Sequence, residues 1–249
     1  MIRYILRKYL APLIGVVTIV VVFILIFQST IREEHRTGKL YAPSGAFPAS
    51  FDKVTEGSTI MNYRFSSVAD HAILEPHGRN AIINGEYKLS NGFLKLVGNK
   101  SNISISDFPE INTENIAFSL NLKITNIGSR QALLVKGYHS ELGYGQYGIN
   151  IEPNGKLRLI VRSDNGNNLI LYSNKTLTEG TAQVGFVITK SSAAIYIDGH
   201  LEKVGEIPSH LLTSNQKLVY KDLTVGNQPV ALNEVFRGGI IKLTIFQLQ

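Results

Sequence analysis

Asp70, His71, Glu75 and His77 fall within eight residues, and all are of kinds that ligate metal ions. A metal site needs ligands that converge and neighbours that hold them in orientation. This stretch is broken by Pro76 and Gly78, so solvated loop residues account for the four equally well, and the metal stays unassigned. No glycine-rich phosphate loop follows a strand and opens a helix, and no Gly-x-Ser-x-Gly elbow presents a serine nucleophile. A recognition surface has a better candidate. Gly137–Gly148 (GYHSELGYGQYG) gathers Tyr138, His139, Tyr144 and Tyr147 with four glycines. Tyrosine offers a large contact area with a polar tip, suited to a sugar ring or a protein partner. The same spacing also fits a wide hairpin whose tyrosines pack over a sheet edge.

The longest apolar element is Leu10–Phe27, 18 residues without a charge. As a helix rising about 1.5 Å per residue it matches the hydrocarbon thickness of a bilayer. A cleaved secretory signal is the alternative, but the run is long for one and Ile26-Phe27-Gln28 offers no small-x-small site. The expectation is an uncleaved single-pass anchor. Arg3, Arg7 and Lys8 precede it without an acid, whereas Arg32-Glu33-Glu34-His35-Arg36 nearly cancels. Positive charge stays inside, so the N-terminus is expected in the cytoplasm and the rest of the chain in the periplasm or outside the cell. Pro12, Gly15 and Thr18 share one side of this helix, and small residues one turn apart let a second helix approach. The expected divisions are a cytoplasmic terminus (1–9), an inner-membrane helix (10–27), a Gly/Pro-broken linker (28–51) and a domain (52–249).

Net charge is +6, but five Lys/Arg against two Glu lie before residue 37. The remainder, 20 basic against 17 acidic, is nearly balanced and dispersed, which argues against nucleic acid as a partner. The chain has no Cys, which removes disulfides and Cys-ligated zinc or iron–sulfur centres.

Beyond Ile60 the pattern alternates. Ile116–Thr125 puts Phe118, Leu120, Leu122 and Ile124 on one face and Ser119, Asn121 and Lys123 on the other. Lys156–Arg162, Asn168–Ser173, Gln183–Thr189, Ala193–Ile197 and Gly239–Phe246 read as further strands, and Pro153-Asn154-Gly155 as a hairpin turn. Numerous short strands without a soluble helix predict an all-β antiparallel sandwich behind the membrane helix.

Three stretches carry a family resemblance: Tyr196-Ile197-Asp198-Gly199, Leu223-Thr224-Val225-Gly226, and Phe236–Phe246 (FRGGIIKLTIF). Their order resembles the closing strands of laminin-G-like, concanavalin A-like jelly rolls, with one departure: Gly185-Phe186 stands where Trp-His is common. The resemblance implies a jelly roll over about two-thirds of the chain, with carbohydrate as one ligand class. It also implies calcium at the sandwich rim, without ligands that can be assigned here. Glycoside hydrolases of this fold place Glu-x-Asp-x-x-Glu or a close variant on one strand, and the chain has no such string. Its nearest acid pairs, Glu110/Glu114 and Glu202/Glu206, fall in expected loops or strand ends, and Asp164 reads as a turn residue. The resulting expectation is a non-enzymatic binding or scaffolding protein, an accessory subunit of a larger membrane complex needing no cofactor. A membrane-anchored lectin for cell-wall or surface glycans is the alternative.

Overall fold

The structure, a computed structural model, describes residues 47–56, 59–139, 143–163, 166–211, 218–228 and 234–248. The expected anchor Leu10–Phe27, with Pro12, Gly15 and Thr18, lies outside the described residues, as do the 1–9 terminus and most of the linker. Among the described residues no helix is long and apolar enough to cross a membrane.

One four-residue helix, α1 (Phe51–Val54), precedes fourteen strands. They are β1 (Thr59–Arg64), β2 (Ala72–Ile73), β3 (Ala81–Ser90), β4 (Phe93–Ile105), β5 (Ile116–Ile124), β6 (Gln131–His139) and β7 (Gly143–Ile151). There follow β8 (Lys156–Arg162), β9 (Asn168–Thr176), β10 (Gly180–Ile188), β11 (Ser192–Ile197), β12 (His200–Glu206), β13 (Leu218–Val225) and β14 (Gly239–Gln247). Every pairing is antiparallel, in the order β12-β11-β10-β5-β14-β4-β13-β6-β7-β8-β9, with β1 on β14 and β3 on β4. The path folds over so that β11 and β12 pack against β9. The all-β antiparallel sandwich expected from the alternation, and the jelly roll that the resemblance implies, are the observed fold.

Period two decides which side chains meet in the middle. Phe118, Leu120, Leu122 and Ile124 of β5 point into the core, as do Val184, Phe186 and Ile188 of β10. Phe118 stacks on Phe186 at 4.7 Å between ring centroids, and Tyr147 of β7 lies 5.5 Å from Phe118. Tyr147 therefore joins the core across the two layers. It has no exposed surface, and its hydroxyl donates to the Ile111 carbonyl at 2.9 Å. The expectation that Tyr147 contributes to a recognition surface is corrected here. Parity places residues 147, 149 and 151 inward together, whatever the flanking glycines suggest.

The outer face of β5, β10, β11 and β14 holds a second apolar cluster of Ala117, Val187, Ala194 and Tyr196, capped by Phe51. Phe51 meets Tyr196 and Phe246 edge-on, at 5.2 and 5.9 Å. The last residues of the expected linker thus pack on the sandwich: Phe51 N–H donates to the Gly199 carbonyl, Leu201 N–H to the Ala49 carbonyl, and the Tyr196 hydroxyl to the Pro48 carbonyl. Burial pushes that hydroxyl's pKa up to about 12. The departure at Gly185 has its reason here, since a Cβ would lie 2.8 Å from two Phe51 ring carbons. Absence of a side chain at 185 makes the seat for the ring.

Candidate functional site

The apolar cluster covers one half of that outer face. The other half is polar and forms a cleft of about 260 Å³. Its floor comes from outward positions on four neighbouring strands. Asn62 of β1, Thr244 of β14 and Ser119 of β5 make one cross-strand row, ending beside Gly185 of β10. Lys242, Asn121 and Gln183 make the next. Asp52 of α1, with Thr55 and Thr59, adds to the lining, and Phe246 borders the apolar half. The Gln183 side-chain amide donates to Ser119 Oγ at 3.0 Å. Asn62 Oδ1 is buried and receives no hydrogen bond. A buried acceptor without a protein donor is uncommon and is free to accept from a molecule in the cleft.

Chemically the cleft is a set of amides and hydroxyls that both donate and accept, plus one ammonium and one carboxylate. Its volume is at or below the small end of organic-ligand pockets, roughly 300–1,000 Å³.

The residues singled out by type are distributed elsewhere. Tyr138 is half-buried near the end of β6, in register with Tyr144 of β7 and Tyr220 of β13. His139 pairs in the backbone ladder with Gly143, while the side chains of His139 and Tyr144 lie outside the described residues, as does Asp164. The Asp70–His77 group does not converge. Glu75 accepts the His77 N–H at 2.7 Å and its ring Nδ1 at 2.9 Å, whereas His71 turns edge-on to Tyr87. The acid pairs are divided between other partners: Arg79 clamps Glu110 at 3.0 and 3.2 Å, and His210 lies 3.5 Å from Glu114. The Arg79 hydrogen bond holds the Glu110 pKa below the ordinary carboxylate value. Glu202 accepts the Lys175 N–H at 2.7 Å.

Calcium, which the resemblance implies, was tested against the acids present. Among the described residues no three His, Cys, Asp or Glu gather to hold a metal. Asp107 and Asp222 are joined by the Asp107 N–H, which donates to Asp222 Oδ1 at 3.2 Å. Into this pair the fully buried Lys136 inserts its ammonium, donating to Asp107 Oδ1 at 2.6 Å and to the Lys221 carbonyl. These residues do not fit a bound cation, because the protein supplies its own. Burial lowers the Lys136 pKa despite the neighbouring carboxylate. For Asp107 burial acts upward but is outweighed by the Lys136 and Asn112 hydrogen bonds, and its pKa is lowered.

None of the cleft residues was singled out in the sequence. Each reads there as an ordinary outward polar residue of its strand, and the registers alone bring them together.

Comparison with known proteins extends the fold. Residues 97–248 match the family model described as the concanavalin A-like lectin/glucanases superfamily. No curated protein matches the chain. Among solved structures, the receptor binding domain of botulinum neurotoxin mosaic serotype C/D superposes with a TM-score of 0.54 at 19% identity, covering 77% of this chain and 48% of that one. The binding domain of botulinum neurotoxin serotype D gives 0.57 at 16%, covering 77% and 49%. A Trypanosoma rangeli sialidase in complex with sialic acid gives 0.59 at 11%, covering 91% and 37%. The chain spans about half or less of the length of these structures, and at such identities the likeness is one of fold.

Proposed function

The chain belongs to the concanavalin A-like lectin/glucanases superfamily, and from that premise we propose a membrane-anchored, extracytoplasmic protein that binds a glycan without cleaving it. The observation that carries this reading is the lining of the cleft over β1, β14, β5 and β10. Asn62, Asn121, Gln183, Ser119 and Thr244 present paired donors and acceptors at the spacing of adjacent strands, which suits the hydroxyls around a sugar ring. Most glycoside hydrolases use two carboxylates, about 5–5.5 Å apart for retention and about 6.5–9.5 Å for inversion, with sialidases, which use a tyrosine nucleophile, among the exceptions. Among the described residues Asp52 is the one carboxylate lining the cleft, which supports holding a sugar over cutting it by the two-carboxylate route.

The anchor in this reading is Leu10–Phe27, oriented by Arg3, Arg7 and Lys8. A role as accessory subunit of a membrane complex is compatible with it: Pro12, Gly15 and Thr18 would give the helix its packing side.

The test uses the full chain in mild detergent against a panel of neutral and acidic oligosaccharides. Saturable binding is expected, with the oligosaccharide recovered intact after prolonged incubation. Asn121→Ala and Gln183→Ala should each weaken binding about tenfold, the equivalent of one hydrogen bond to a buried partner, with the unfolding midpoint little changed. Failure to bind any member, or cleavage of one, would overturn the proposal.

A further inference from the structure

We infer that the sugar held in the cleft carries an anionic group, a carboxylate or a sulfate; this deepens the glycan reading and rests on it. Beside the cleft the free protein holds a pairing of like charges. Arg64 of β1 stands directly opposite Lys242 of β14. Like charges directly opposed across strands repel. Lys88 and Lys95 on β3 and β4 are paired in the same way, but neither lines the cleft, whereas Lys242 does. Lys123 follows Asn121 by two residues on β5, which puts a third cation on the same outer face. Arg64 and Lys123 are exposed, while Lys242 reaches into the cleft lining.

Some basic side chains elsewhere find acids, Arg79 with Glu110, Arg130 and Arg158 with Glu152, Lys136 with Asp107, and Lys175 with Asp198, while others such as Lys88, Lys95 and Lys203 have none among the described residues. Among the described residues none of Arg64, Lys123 and Lys242 has such an ion pair. Lys242 therefore brings an unpaired ammonium into the lining, and the registers put Arg64 and Lys123 on the strands beside it, while among the described lining residues Asp52 on the helix side is the one carboxylate. An anion placed between Arg64 and Lys242 would relieve their repulsion and gain charge-assisted hydrogen bonds, with the arginine fork matching a carboxylate or sulfate. The amide rows beside them would take the ring hydroxyls. A neutral sugar meets the second requirement only.

The experiment compares a glucuronic acid-containing tetrasaccharide with its carboxyl-reduced neutral counterpart, titrated into the full chain in detergent. The acidic sugar should bind about tenfold more tightly, as one charge-assisted contact provides. That advantage should shrink as salt is raised from about 0.05 to about 0.5 M, because these cations are exposed. Arg64→Gln and Lys242→Gln should each bring the ratio of affinities towards one. Without ligand, Arg64→Gln should leave the unfolding midpoint unchanged or raised, since it removes a repulsion. Equal affinity for both sugars would overturn the inference and leave the glycan reading standing. Binding of neither would overturn both. A fallen midpoint in Arg64→Gln would also overturn the inference, by showing that the fold itself uses this charge.

Discussion

Lys136 has no exposed side-chain surface, yet its carboxylate partner Asp107 keeps a quarter of its own exposed. The two ends of this ion pair are therefore not equivalent. Asp107→Asn takes away the carboxylate hydrogen-bonded to the interior ammonium and leaves Asp222 as its nearby negative charge, and breaking a buried pair from that side costs up to about 3–5 kcal/mol. Lys136→Met removes the charge that needs solvation and leaves a carboxylate that water can still reach, so its cost should be no more than about 2 kcal/mol. Denaturant unfolding at neutral pH should give that order, and the reverse order would show that the carboxylate is the group the fold protects. The pH dependence has a defined sign. The folded Asp107 pKa is lowered, so its contribution is complete above the unfolded value, about 3.9, and is lost as pH falls through the folded one. Asp107→Asn should lose that portion of the acid-induced decline, whatever the remaining carboxylates contribute.

At the scale of elements, alternation was enough to read the core strands, and it failed at two places for identifiable reasons. The inward rows of β5, β10 and β14 stand in the sequence as apolar residues at every second position, and the Asp198-Gly199 turn as a dipeptide that tolerates positive φ. Tyr147 is hard to place from sequence because Gly145 and Gly148 suggest an open loop, whereas β7 continues through them with a bulge and its ring turns inward with residues 149 and 151. The cleft and its helical wall were not legible at all. Phe47–Phe51 has no periodicity of its own, and Phe51 is seated only because Gly185, far along the chain, leaves room for its ring. That wall belongs to a satellite cluster outside the main core, so its stability should be separable from the rest. Phe51→Ala should accelerate proteolysis within residues 47–56 about tenfold or more, the effect of a local loss near 1.4 kcal/mol, while weakening sugar binding through the loss of the Asp52 and Thr55 wall. The global midpoint should move far less than for a core truncation such as Phe118→Ala, which costs about 3–5 kcal/mol. Equal shifts for the two variants would show that the segment unfolds only with the whole sandwich.

For the whole molecule, the prediction concerns which side of the membrane the cleft faces. In the proposed reading Leu10–Phe27 is a single span, and the family match at residues 97–248 lies well beyond it, so the sandwich would lie wholly on one side. Charge decides which. Arg3, Arg7 and Lys8 are unopposed before the span, while the segment after it holds Arg32 and Arg36 against Glu33 and Glu34. Short flanks with this asymmetry orient with the basic end in the cytoplasm. Protease added to intact cells or spheroplasts should then digest the sandwich and spare a tag at the N-terminus, and a protected sandwich would reverse the topology. Changing Arg3, Arg7 and Lys8 to Gln removes the bias and should yield a mixed population, with part of the sandwich protected. A second exchange separates the anchor from the binding domain. Replacing Leu10–Phe27 by an unrelated span of equal length and orientation should leave sugar binding unaltered, because every cleft residue belongs to the sandwich. If the side formed by Pro12, Gly15 and Thr18 packs on another helix, the same exchange should release the protein from its complex in mild detergent while insertion stays normal. Retention at unchanged stoichiometry would mean that the span only tethers, leaving all recognition to the sandwich.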